Sequence, residues 1–282
     1  MIIKKSPRRF SFSRSFLASL PIFFWILVTT SATSILGFIL FSIIPKSADY
    51  VILVPEQILH GRFIWTLLTH IFFHADFLHL FVNMFSLLFI GSVCETIIGK
   101  KRFIWFYLIS GIAGGVFFVL FAYLGSLTGL TSVLGDINLG GVGASGALFG
   151  LLGILAIIIP NKKVYLISGP IILIIIQIIL PQFISGAVLT AANVITTILL
   201  FMMIFSLFYH SNSLKRLSLP IEMPIWVAPI AAIVPLVSIS FFVSLPIGNS
   251  AHLGGLLIGL IYGIYLRFNY PRKVEIIGRF FR

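Results

Sequence analysis

The sequence predicts an all-α polytopic membrane protein, and three observations carry that prediction. Of 282 residues, 59% are hydrophobic and only 9% charged, whereas a soluble domain carries about 25% charged residues. Mean hydropathy is +1.15, which leaves too little polar surface to cover a water-soluble globule. Apolar stretches of about twenty residues recur along the chain, each enough to cross a hydrocarbon core about 30 Å thick. The same composition excludes coiled coil, collagen and disorder. Cys94 is the one cysteine, which excludes a disulfide scaffold, and it reads as a small apolar core residue.

Eight apolar segments can be marked, at 18–44, 77–98, 103–124, 144–160, 163–181, 189–209, 223–245 and 250–267. The first follows Lys4, Lys5, Arg8, Arg9 and Arg14; it is too long for a secretory signal and reads as a retained anchor. The breaks between segments alternate in character. Lys100, Lys101 and Arg102 fill one, Lys162 and Lys163 another, Lys215 and Arg216 a third, and the tail carries Arg267, Arg272, Lys273, Arg279 and Arg282. One side of the membrane therefore holds 17 of the 19 basic residues, leaving only Lys46 and Arg62 opposite. Basic loops stay in the cytoplasm, so both termini are expected inside and the span count even. The net charge of +12 thus reports topology and attraction to anionic membrane lipid rather than nucleic acid. The organisation expected is a basic cytoplasmic segment at 1–17, a membrane domain at 18–267 and a basic cytoplasmic tail at 268–282.

The outer loops at 45–76 and 125–143 are long for connectors, and long loops tend to be functional. The second is glycine-rich and ends in Gly140, Gly141 and Gly143. No sequence repeat suggests an inverted-repeat transporter.

Strongly polar groups inside a span are costly, so each is a functional hypothesis. Three sets stand out: His70, His74, His79 and Asn83 around the start of the second segment, Gly143-Ala144-Ser145-Gly146 at the fourth, and Ala251-His252 with Gly255 and Gly259 on the last. Depth ties them together. Asn83 lies 17 residues before Lys100, Ser145 17 before Lys162 and His252 15 before Arg267. At about 1.5 Å per helical residue, all three sit roughly 22–26 Å above the inner boundary, on helices running the same way, with His79 one turn higher.

The residue types suggest nucleophilic catalysis. A serine hydroxyl is a weak nucleophile until a base takes its proton, and neutral histidine is the usual base. His252 fits the base and Ser145 the nucleophile. Ser145 also opens a helix, whose N-terminal amides favour developing negative charge. His79 and Asn83 are i, i+4, so one helix face presents both as donors to a tetrahedral oxyanion, a contribution of roughly 3–4 kcal/mol per donor in hydrolases. Ala251, Gly255, Gly259 and Gly263 form a small stripe facing a matching ridge of Gly146, Gly150 and Gly153, which lets backbones touch. No carboxylate is near His252 in sequence, so a Ser–His dyad is expected, with Phe149 one turn beyond Ser145 to brace the imidazole.

In order, His74-x4-His79-x3-Asn83, Gly143-x-Ser145-Gly146 and Ala251-His252-x2-Gly255-x3-Gly259 resemble the signature of the rhomboid intramembrane serine proteases. The resemblance covers about 60–160 and 222–267. It implies a serine endopeptidase that cuts transmembrane-protein substrates, with Ser145 as nucleophile and His252 as base. It also implies an oxyanion hole of His79, Asn83 and the Ser145 amide, a membrane-embedded flap at 45–76, and no metal or other cofactor. Two departures matter. The family usually has six core spans, so 163–209 is expected to be an inserted two-helix hairpin, which preserves parity. Phe149 stands where some members carry Tyr, which keeps the ring and loses the hydroxyl. The expected location is the plasma membrane of a prokaryote.

Other readings compete. His70 and His74 have a zinc-like spacing but no Glu follows His70, and hydrogen bonding in the loop explains them better. Glu95 reads as a structural hydrogen-bonding or ion-pairing group, and His60 and His210 as loop residues. Pro224, Pro229 and Pro235 weaken the seventh segment; together with the 246–249 loop it suggests a lateral gate for substrate. The alternative functions are a catalytically inactive relative that binds membrane-protein clients, and a channel or transporter. The intact Ser145 and His252 weigh against the first, and the concentration of polar residues in the outer half, with little below Asn83, against the second.

Overall fold

The computed structural model describes residues 19–208, 216–241 and 248–281. The basic stretch at 1–17, His210, Lys215, Pro246 and Arg282 lie outside the described residues. The protein is an integral multi-pass membrane protein built from helices: α1 (Ile22–Ile43), α2 (Phe77–Ile98), α3 (Lys100–Thr128), α4 (Ser145–Ile158), α5 (Ser168–Ile179), α6 (Gly186–Ser206), α7 (Ala228–Ser240), α8 (Asn249–Asn269) and a tail helix α9 (Pro271–Phe280). Five of them (α1, α2, α3, α6 and α8) are long and apolar enough to cross a membrane. α4, α5 and α7 are shorter, at 14, 12 and 13 residues.

α4 is the centre of the bundle. Ten of its residues are buried, and it packs on α8 most extensively and then on α3. Glycine makes this possible. A Cβ on Gly255 would fall on the carbonyl of Gly146, one on Gly259 on the carbonyl of Gly150, and one on Gly153 within 2.8 Å of the Leu256 carbonyl oxygen. The stripe of small residues on α8 and the ridge on α4 are therefore in backbone contact, as expected from their spacing. α3 adds a third leg that the sequence reading did not identify: a Cβ on Gly114 would approach the Ala251 carbonyl oxygen to 2.9 Å, and Ser110 Oγ lies 3.4 Å from the carbonyls of both Gly146 and Gly255.

α2 is continuous but carries a π-helical turn at Leu87–Gly91. Below it, Glu95 is buried and its two carboxylate oxygens accept the amides of Ile22 and Phe23, at 2.9 and 2.8 Å. The first turn of α1 has no intrahelical acceptors for these amides, so a carboxylate from α2 caps α1, close to the structural role expected of it. Lys100 Nζ donates to the carbonyls of Ser19 and Leu20 at the same corner.

The inserted hairpin differs from its expected form at its base. Residues Lys163–Ile167 are a strand (β1), not the start of a helix, and pair antiparallel with β2, Pro220–Pro224. The β-branched and aromatic side chains of Val164, Tyr165 and Ile167 suit a ribbon, and the two prolines sit at the ends of β2, where a missing amide costs least. The insert therefore closes at Pro224, beyond the expected 209. Inside it, Gln177 Nε2 reaches Oγ1 of Thr196 and of Thr197, both at 2.8 Å, tying α5 to α6. The ring of Phe201 on α6 lies 5.1 Å from that of Phe81 on α2.

Candidate active site

Ser145 is the first residue of α4 and His252 sits in the first turn of α8. The glycine contacts bring these two helix starts together, and Ser145 Oγ lies 2.8 Å from His252 Nε2. His252 is buried, whereas Ser145 keeps partial exposure. The Phe149 ring stacks on the imidazole with centroids 4.4 Å apart and planes 21° from parallel. The expected brace is therefore in place without a hydroxyl. His252 Nδ1 is buried and has no hydrogen-bond partner among the described residues.

His79 and Gly143 fit one another. A Cβ on Gly143 would come within 2.9 Å of the His79 ring, and Gly143 has φ +132°, so its glycine is required twice over. His79 thus lies against the chain two residues before Ser145. Asn83 is buried; its Nδ2 donates to the His79 carbonyl at 2.9 Å, and its Oδ1 is unpaired among the described residues. One N–H of that amide is left for another acceptor. The N-cap residue Ala144 brings no side-chain cap to α4, so the first-turn amides of α4 have no intrahelical partner.

The loop leading to Ser145 is fixed from outside. Leu53 and Gly141 exchange both backbone hydrogen bonds, Glu56 N–H donates to Ile137, and Gly143 N–H donates to the His70 carbonyl at 2.9 Å. His74 completes the set. Its Nε2 accepts the Ala144 amide at 3.4 Å, so Nδ1 carries the proton and donates to Ser34 Oγ at 3.0 Å, while Ser34 Oγ donates to the Phe72 carbonyl at 3.1 Å. Burial lowers His74, in the loop ahead of α2, to about 3, and His79 adds a smaller push in the same direction. It is a neutral connector. His70 donates from Nδ1 to the Thr66 carbonyl. Both histidines do the loop hydrogen bonding expected of them. Among the described residues no group of three or more His, Cys, Asp or Glu is placed to hold a metal ion.

The structure therefore gathers Ser145, His252 and Phe149 in direct contact, with Gly143, Gly146, Gly255 and Gly259 as their close-packed support and His79 and Asn83 beside them. The sequence reading missed Ser34 and Ser110. A single serine in an apolar helix is a weak signal, and only a tertiary contact distinguishes it from packing.

A family model described as the rhomboid domain matches residues 62–199. The match includes His74, His79, Asn83 and Ser145 and stops short of His252. Three Arabidopsis thaliana proteins are similar over shorter stretches. Inactive RHOMBOID-like protein 8 is 43% identical over 58 residues, 21% of this chain and 16% of that protein. RHOMBOID-like protein 1 is 35% identical over 79 residues, 28% of this chain and 20% of that protein. RHOMBOID-like protein 7 is 36% identical over 78 residues, 28% of this chain and 25% of that protein. The aligned stretches thus span a quarter or less of these relatives' own length. The matched domain and these relatives support a rhomboid family protein.

Proposed function

We propose that the protein is an intramembrane serine endopeptidase that hydrolyses peptide bonds in or near transmembrane segments of membrane proteins. The observation that carries the reading is the 2.8 Å contact between Ser145 Oγ and His252 Nε2. Ser145 Oγ attacks the scissile carbonyl as its proton passes to His252 Nε2. The oxyanion that forms is met by the Ser145 amide, the His79 ring and the remaining N–H of Asn83, each donor contributing roughly 3–4 kcal/mol. Collapse breaks the C–N bond, and His252 returns the proton to the leaving amine. Water then gives a proton to His252 and attacks the ester; the second collapse frees the acid and restores the serine hydroxyl.

The substrate is a single transmembrane helix that unwinds near its outer end, because a peptide bond inside a helix is shielded by its own hydrogen bonds. Access is expected from the lipid side past α7, which has Pro235 in its interior, so cross-linking α7 to α2 should stop cleavage of an embedded substrate. The expected orientation keeps both termini in the cytoplasm. A prokaryotic plasma membrane is an expectation from the sequence alone; the relatives named above are plant proteins.

A second reading, an inactive client-binding protein, has one observation in its favour: a relative carries the word inactive in its name. Fluorophosphonate labelling in lipid bilayers separates the two. Labelling of the wild type and not of Ser145→Ala supports the peptidase; an unlabelled, folded wild type favours client binding.

A further inference from the structure

The dyad leaves one polar atom unexplained. For Nε2 to take the serine proton it must be bare, so Nδ1 carries the imidazole hydrogen. That N–H is buried and has no partner among the described residues, a state that is costly when left unsatisfied. A second orphan lies on the same helix. Asn249, only 9% exposed, is the first residue of α8, and its Oδ1 is also buried without a partner among the described residues. Asn249 and His252 are i, i+3, which puts their Cβ atoms about 5–6 Å apart on one helix face. One atom is an acceptor and the other a donor. A single bridging water, which makes two to four hydrogen bonds to buried polar groups of this kind, would satisfy both.

We propose that Asn249 is a positioning residue for the base: its side-chain oxygen holds the Nδ1–H of His252 through one water molecule. The bridge selects the tautomer with a bare Nε2, fixes the ring beneath Phe149 and stabilises the imidazolium that forms during attack. It does the work of a carboxylate third member with a neutral amide. The charge cost of a carboxylate in this buried place is avoided. His79, the other titratable side chain at the site, lies against Gly143. The inference rests on the peptidase reading.

The test is the rate of fluorophosphonate labelling against pH in reconstituted wild type, Asn249→Ala and Asn249→Asp. Asn249→Ala is expected to label about tenfold more slowly, a loss typical of an orienting partner, with the acidic limb of the profile displaced to lower pH. Asn249→Asp is expected to keep a labelling rate near wild type and to displace that limb to higher pH by about one unit. A packing role would not order the limbs as Ala, Asn, Asp. Coincident limbs in wild type and Asn249→Asp overturn the proposal, and so does an unchanged rate in a folded Asn249→Ala. If Asn249→Ala does not fold, the Asp limb alone decides. An unlabelled wild type defeats the peptidase reading itself, a result distinct from labelling that ignores Asn249.

Discussion

Replacing Gly255 by alanine should uncouple His252 from Ser145, and the geometry sets the size of the effect. A Cβ there would fall on the Gly146 carbonyl oxygen, and even the carbonyl carbon would lie at 2.7 Å. That is roughly 0.8 Å short of the ~3.5 Å at which carbon atoms sit comfortably. Both obstacles are backbone, so no side chain can swing aside and α8 must move off α4. Gly146 follows Ser145 directly, and Gly255 is one turn below His252, so the separation acts on the 2.8 Å contact between them. The oxygen is nearer still, so the shift is at least of that size and takes Oγ and Nε2 to about 3.6 Å or beyond, outside hydrogen-bond range. A misplacement near 1 Å costs on the order of a hundredfold in rate, and overpacking costs about 1–3 kcal/mol in stability. Labelling kinetics measure the first and a thermal melt in detergent the second. Gly278→Ala is the control, because the nearest atom to its Cβ is 4.0 Å away. A Gly255→Ala protein that labels within threefold of wild type would refute the claim that glycine contact sets the dyad distance.

Three further outcomes follow from contacts away from the dyad. Glu95→Ala should strip the cap from the Ile22 and Phe23 amides and destabilise the fold by about 1–3 kcal/mol, read as a lowered melting temperature with labelling of the folded fraction retained. His74→Ala should free the Ala144 amide and Ser34 and slow labelling about tenfold by loosening the chain ahead of α4; a rate equal to wild type would mean the backbone contacts of that loop suffice. In the exposed ribbon, Glu222 is held below its usual range, first by the hydrogen bond from Lys163 and then by that from Tyr165. A depressed carboxylate contributes stability above its unfolded pKa and loses it as pH falls through the folded one. Amide exchange in β1 and β2 should therefore quicken below the ordinary glutamate range, and exchange that is flat there would show the pair to be without influence.

What was legible in the sequence was whatever has a local signature. Helix positions, the glycine faces of α4 and α8 and the convergence of Ser145 with His252 all follow from spacing, because depth in a bilayer is counted in residues at a fixed rise. Glu95 was recognisable as a structural group for its rarity in a span. Its partners were not, since they are main-chain amides of Ile22 and Phe23, far away in sequence. Ser34 and Ser110 were missed for the same reason: their acceptors belong to other helices. The ribbon at the base of the insert was hidden by composition. Lys163–Ile167 is apolar enough to extend a helical run, and only its pairing with Pro220–Pro224 makes it a strand.

The shortness of α4 explains why so much of the surrounding chain is irregular. With Ser145 below the outer surface, as its spacing from Lys162 predicts, the segment ahead of it must descend as loop, and loop backbone at membrane depth is tolerated only where protein satisfies its polar groups. The 45–76 region supplies them: the Leu53 and His70 carbonyls accept from Gly141 and Gly143, and the His74 ring accepts from Ala144. Each partner is matched to a residue within five positions of Ser145. A segment that merely connected α1 to α2 would have no reason to meet that stretch in register. Its contacts therefore go to the chain ahead of Ser145, and shortening it should expose amides at Gly141 and Gly143 before it disturbs any helix. Faster hydrogen exchange confined to 137–144 in a loop-shortened variant would bear this out; exchange spreading first through α1 or α2 would assign the loop to helix packing instead.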